Sequence, residues 1–141
     1  MKGRNMTSSL IRQAEARLDT VRRQIALNNP AYAIYSAYEC VVLCLKVLAH
    51  ISGIDAEPED LPEILRMYPD RFSTLNAGDL QDLYFVARKL QSEEAKARLG
   101  DDFLGIPPDE LYTEKEARIA ERWATTWLGV ARAETQAREE Q

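Results

Sequence analysis

Histidine is nearly missing from this chain: among 141 residues only His50 carries an imidazole. That scarcity removes most familiar routes to catalysis. A nucleophilic hydrolase needs a base beside its nucleophile, and a single histidine inside the most apolar stretch reads as a buried neutral side chain bonded to a neighbour. A ferritin-like di-metal bundle needs Glu-x-x-His on each of two helices, and Val47, not a glutamate, stands three residues before His50. Cysteine is scarce as well. Cys40 and Cys44 lie four apart in an apolar run, so on a helix they share a face where a disulfide would close the turn badly. With no third cysteine they fall short of a zinc site, and no metal or cofactor is expected. There is no Gly-rich phosphate loop, no HExxH and no EF-hand pattern. No stretch alternates apolar with polar residues and no Asn-Gly turn occurs, which argues against strands. No leader sequence is evident, so a reducing cytoplasm is the expected compartment.

Positive charge is not in excess either. The net value of -5 argues against a surface built to neutralise phosphates. It is unevenly spread: residues 1–23 hold six Lys or Arg against Glu15 and Asp19, whereas the remainder is acidic. The basic front is expected to be a solvated helix face docked on an acidic body.

What the chain has in quantity is helical periodicity. After a loose lead-in, Met1 to Met6, apolar residues fall at Ile11, Ala14, Leu18, Val21 and Ile25, one stripe of a helix that Ser8 or Ser9 could cap. Asn28-Asn29-Pro30 ends it, with Asn29 as cap of the next helix and Pro30 at its first position. The second helix, "AYAIYSAYECVVLCLKVLAHISGI", is apolar nearly all round and ends at Gly53. Its length would permit a membrane span. Glu39, Lys46, His50 and three tyrosines argue for the centre of a bundle instead. Tyr32, Tyr35 and Tyr38 drift slowly around that helix and are candidates for a homodimer interface, where tyrosine is enriched. A short helix runs from Asp60 to Met67, a long one from the Asn76 cap to Gly100, and a last one from Thr113, where "TEKE" is a capping box, with fraying from Glu134. The expectation is one all-α domain over 1–141: an antiparallel up-and-down bundle of four main helices plus one short helix.

The stretch "ARLGDDFLGIPPDELYTEKEA", Ala97 to Ala117, breaks the period yet keeps Phe103, Leu104, Ile106, Leu111 and Tyr112. So many apolar residues in a connector predict a clasp, with Phe103, Leu104 and Ile106 tucked onto the bundle and Tyr112 packed back on Ala117. Its polar groups offer a second role. Arg98, beside Asp101, Asp102 and Tyr112, is a candidate ligand or partner contact through charge-assisted hydrogen bonds.

The second helix, with Lys46 and Gly53, and the closing segment, with Ala97, Arg98, Pro107, Pro108, Tyr112, Thr113 and Ala117, resemble the HEPN family of small helical bundles. Members often stand beside, or are fused to, minimal nucleotidyltransferases. Leu99 sits where the family commonly has tyrosine. The departures bear on function. HEPN ribonucleases carry Arg, four to six residues, then His; here Leu43, Cys44 and Leu45 occupy the arginine positions before His50, and no histidine follows it. Glu59-Asp60-Leu61 replaces the frequent His-x-Leu. The resemblance therefore implies a non-catalytic member, a dimer that engages a nucleotidyltransferase-type partner or a nucleotide in a toxin–antitoxin or stress setting. Two alternatives stand beside it: an RNA-cleaving enzyme using Arg98 and nearby carboxylates, and a purely structural dimerisation scaffold.

Overall fold

A computed structural model describes residues 2–141, with side chains from Asn5 onward. It is all-helical: α1 (Lys2–Ala26), α2 (Pro30–Ile51), the short α3 (Ile64–Met67), α4 (Ala77–Leu99), the short α5 (Pro108–Leu111) and α6 (Glu114–Glu139). Among the described residues the nearest thing to a strand is an isolated bridge between Asp101 and Ile106. Helix α2 is the centre. It touches α1, α4 and α6, while α1 also lies on α6 and α4 barely meets α6.

The apolar stripes explain this order. Ala14, Leu18, Val21 and Ile25 of α1 are buried, as are Leu83, Ala87 and Leu90 of α4 and Ala120, Ala124, Trp127, Leu128 and Ala131 of α6. Each stripe closes on α2, whose Val41, Leu45, Val47 and Leu48 are almost wholly shielded. Burying each such aliphatic side chain stabilises the fold by about 1.5–3 kcal/mol. Helix α2 is also the one described helix long and apolar enough to cross a membrane, and 56% of its most apolar window is buried inside the bundle. The basic first helix lies on its own bundle through Arg17–Glu39 (3.5 Å), Arg22–Glu121 (3.2 Å) and Glu15–Arg132 (3.2 Å). These pairs are largely solvated, so they orient α1 more than they stabilise it.

Helix ends follow local chemistry, with several corrections. Helix α1 already runs from Lys2, so Lys2 to Met6 of the expected loose lead-in are helical while Met1 lies outside the described residues, and Ser8 and Ser9 lie inside the helix, where neither can cap. It ends at Ala26, and the turn that follows passes through Asn28, whose φ of 59° is a left-handed conformation that asparagine tolerates. Pro30 opens α2, but Asn29 does not cap it: its backbone is not in the extended conformation a capping side chain needs, and its amide donates to Gln24 Oε1 instead (3.2 Å). Pro62 has no N–H to continue an α-helical ladder, so the expected short helix is a 3-10 turn from Pro58 to Glu63 before α3 takes over. Asn76 does cap α4, accepting from the Asp79 N–H (2.8 Å) while Asp79 Oδ2 accepts from the Asn76 N–H (3.1 Å). At Thr113 the expected box is incomplete. The Thr113 hydroxyl donates to the Glu116 carboxylate rather than accepting from the backbone.

The C-terminal helix does not fray at Glu134. That side chain is fully buried, and its Oε2 accepts both the backbone N–H (2.7 Å) and the hydroxyl of Thr74. One turn later Arg138 donates to Arg71 O (2.8 Å) and Ser52 Oγ (3.1 Å). The α2–α4 connection is thus fastened to the last turns of α6.

Candidate functional site

Consecutive main helices turn back on one another, so the α1–α2 turn and the α4–α6 connector share one end of the bundle. There Asn28, Asn29, Tyr32 and Tyr35 face Ala97, Arg98, Pro108 and Asp109 across a groove of about 620 Å3. The groove joins residues of two sets that the sequence keeps apart, Arg98 from the ligand candidates and Tyr32 and Tyr35 from the interface candidates.

The tyrosines form a ladder along α2. Tyr32 and Tyr35 have ring centroids 6.3 Å apart, Tyr35 and Tyr38 6.5 Å, each pair tilted by about 40°. Tyr32 is 46% exposed, whereas Tyr35 and Tyr38 are half-buried. Burial, then the Glu94 carboxylate, then Tyr35, push the Tyr38 hydroxyl above its ordinary pKa, so it remains a neutral donor. Glu94 also holds Arg98, Nε to Oε1 at 2.9 Å.

The four ligand candidates do not converge. Arg98 pairs with Glu94 on its own helix, not with Asp101 or Asp102. Asp101 is spent on the connector: its N–H and carbonyl exchange hydrogen bonds with Ile106 (2.8 and 3.0 Å), and its Oδ1 accepts from the Leu104 N–H (3.0 Å). Asp102 is exposed beside it. Tyr112 turns inward and its hydroxyl donates to Glu93 Oε2 (2.6 Å). Burial and that bond raise the Tyr112 pKa strongly, and the same bond, followed by Lys89, holds the Glu93 carboxyl below its usual range. Tyr112 therefore anchors the connector to α4.

The clasp expectation needs correction. Ile106, Leu111 and Tyr112 are half-buried, but Phe103 is 95% exposed and Leu104 64%. The Asp101–Ile106 bridge turns the chain tightly, with Gly105 at φ 68°, and holds both apolar residues out into water. Gly100 (φ 81°) lets the connector fold back so closely that a Cβ there would meet Ile106 O at 2.4 Å.

Three other features were not read from the sequence. Between α4 and α6 lies a larger, mostly apolar groove of about 710 Å3, where Phe85 and Trp123 meet edge to face at 6.4 Å. Arg66 and Arg88 both lie over the Tyr84 ring and donate to its hydroxyl, which donates to Glu63 (2.7 Å). Hydrogen bonds from Arg88 and Tyr84 hold the Glu63 carboxyl below its usual range. The aromatic and arginine spacings on α4 were visible, but their partners come from distant segments. His50, expected to be buried, is exposed near the end of α2, where it lines a shallow groove with Thr7 of α1 and Arg138 of α6. Among the described residues no three His, Cys, Asp or Glu gather to hold a metal ion.

No family model and no curated protein matches this chain. Among solved structures it is similar to the crystal structure of TT1696 from Thermus thermophilus, with 22% identity over 92% of this chain and 98% of that one and a TM-score of 0.78. At that identity the likeness establishes a shared fold.

Proposed function

We propose that the chain is a non-enzymatic, HEPN-like binding module that engages a protein partner, of the nucleotidyltransferase type the resemblance implies, at the Tyr32–Tyr35–Arg98 groove. The observation that carries this reading is the groove itself: an exposed tyrosine face beside a guanidinium, with no nucleophile and oriented base around it. Recognition is what such a surface can do. Charge favours a protein over a free nucleotide, because Arg98 is already paired with Glu94, and Asp109 lies in the same groove. A phosphate there would meet more negative charge than positive.

Calorimetric titration with a minimal nucleotidyltransferase tests the proposal. Tyr32→Ala and Arg98→Ala should each weaken binding by about tenfold without lowering the melting temperature appreciably. Unchanged binding in both variants would refute the site. Overnight incubation with single-stranded RNA in EDTA should leave the RNA intact; cleavage lost in Arg98→Ala would establish the ribonuclease reading instead. A homodimer through the tyrosine ladder is a second reading, favoured by the exposure of Tyr32. Light scattering of Tyr32→Ala would detect it as a loss of dimer.

A further inference from the structure

Large apolar side chains exposed to water are not scattered evenly over this protein. Of the eight on the described surface, Leu27, Tyr32, Leu99, Phe103 and Leu104 belong to the end of the bundle just described, and only Met6, Met67 and Phe85 lie elsewhere. Scattered exposure needs no explanation, but a cluster of this kind marks an interaction surface. The finger Leu99–Pro107 is rooted between Arg98 and Pro108, both of which line the groove, so the finger rises from the groove's rim. The finger is also built to stay extended, by the paired hydrogen bonds of Asp101 and Ile106, the Asp101 side-chain bond to Leu104 and the close fold-back at Gly100. Holding Phe103 out in advance lowers the ordering cost of binding.

The charges around this face identify what it takes. From Leu99 to Thr113 there are four carboxylates, Asp101, Asp102, Asp109 and Glu110, and no lysine or arginine. Asp102, Asp109 and Glu110 are exposed, and one oxygen of Asp101 is engaged within the finger. Tyrosine faces next to carboxylates attract ammonium and guanidinium groups. We infer that this acid-rimmed apolar face recognises a protein segment in which Lys or Arg residues flank apolar anchors. The inference rests on the binding-module reading and adds the chemistry of the partner to it. A second copy of the finger segment would set four carboxylates against four, and an anionic bilayer or a nucleic acid would meet the same repulsion, because Arg98 at the root of the finger is already paired with Glu94.

A phage-displayed library of random twelve-residue peptides, selected on the immobilised full chain, tests this. The enriched peptides should carry an excess of Lys and Arg beside aromatic or aliphatic residues. A synthetic peptide of the enriched sequence should lose about thirtyfold in affinity to Phe103→Ser/Leu104→Ser, and should weaken as salt rises from 50 to 500 mM. Circular dichroism melting should leave that variant folded. Absence of enrichment, enrichment without basic residues, or binding indifferent to the double substitution each overturns the inference. Loss in Tyr32→Ala but not in the finger variant overturns the finger and keeps the groove; loss in neither overturns both. Phe103-dependent binding to phosphatidylserine vesicles, or self-association abolished by the double substitution, would show a lipid or a second copy to be the occupant and would equally overturn it.

Discussion

Glu134 is the side chain whose removal says most about how this bundle is closed. It is fully buried, yet lies only five residues before the last helical residue, Glu139. Its Oε2 accepts two hydrogen bonds from Thr74, one from the backbone N–H at 2.7 Å and one from the hydroxyl, while Oε1 is buried without a partner among the described residues. A hydrogen bond to a charged group contributes about 1.5–3 kcal/mol. Two effects lower the net loss in Glu134→Ala. Deleting a carboxylate with an unsatisfied oxygen relieves its desolvation, and Thr74 is exposed on its other side, so water can replace part of the lost bonding. The expected destabilisation is about 2 kcal/mol, a sizeable part of the roughly 5–15 kcal/mol that holds a domain folded. Thr74→Val keeps the N–H and loses the hydroxyl bond, and should cost about 1 kcal/mol. Because the two side chains share one interaction, the double variant should cost about 1 kcal/mol less than the sum. Urea unfolding followed by tryptophan fluorescence, with the buried Trp127 reporting, measures all three. Additivity within about 0.5 kcal/mol would refute the coupling between the two side chains.

Other consequences are independent of that latch. Tyr112→Phe should cost about 0.5–1.5 kcal/mol at neutral pH, from the lost bond to Glu93. Since the folded Glu93 carboxyl titrates below its ordinary 4.5, its contribution is present above that value and fades as pH falls through the folded pKa. The variant should therefore show a shallower loss of stability on acidification, read from melting temperatures between pH 3 and 7. Gly100→Ala should destabilise the connector by about 1–3 kcal/mol, because it combines a left-handed φ with a Cβ aimed at Ile106 O, and should speed proteolysis between Leu99 and Thr113. Cys44 is held protonated by its hydrogen bond with Cys40 and by burial, so alkylation of either thiol should proceed no faster than unfolding, as followed by mass spectrometry.

The helical stripes were legible because burial repeats on the same 3-4 spacing as the backbone, and the stripe of α1 and the centrality of α2 follow from it, while the Asn76 cap was legible because capping is local. Phe103 and Leu104 were misread because hydrophobic-inside is a one-way rule: apolar residues in a connector can cover the core or be displayed, and the Asp101–Ile106 bridge decides between them. Glu134 could not be read as buried, since the donors that need it belong to Thr74, far away in sequence. The meeting of Arg98 with Tyr32 and Tyr35 is equally non-local. It depends on which end of α4 lies beside the start of α2, and that becomes visible only once the helices are placed.

The proposed binding face exists only if the connector displays its apolar tip, Phe103 and Leu104, instead of folding it onto the bundle. The chain has three phenylalanines in contrasting settings: Phe72 at 1% exposure, Phe85 at 60% and Phe103 at 95%. Incorporating fluorophenylalanine and comparing 19F shifts in H2O and D2O reads each ring's contact with water. Phe103 should show the largest solvent isotope shift, Phe85 a smaller one and Phe72 almost none. A Phe103 resonance as insensitive to solvent as that of Phe72 would mean that the tip is tucked in, and would contradict the account.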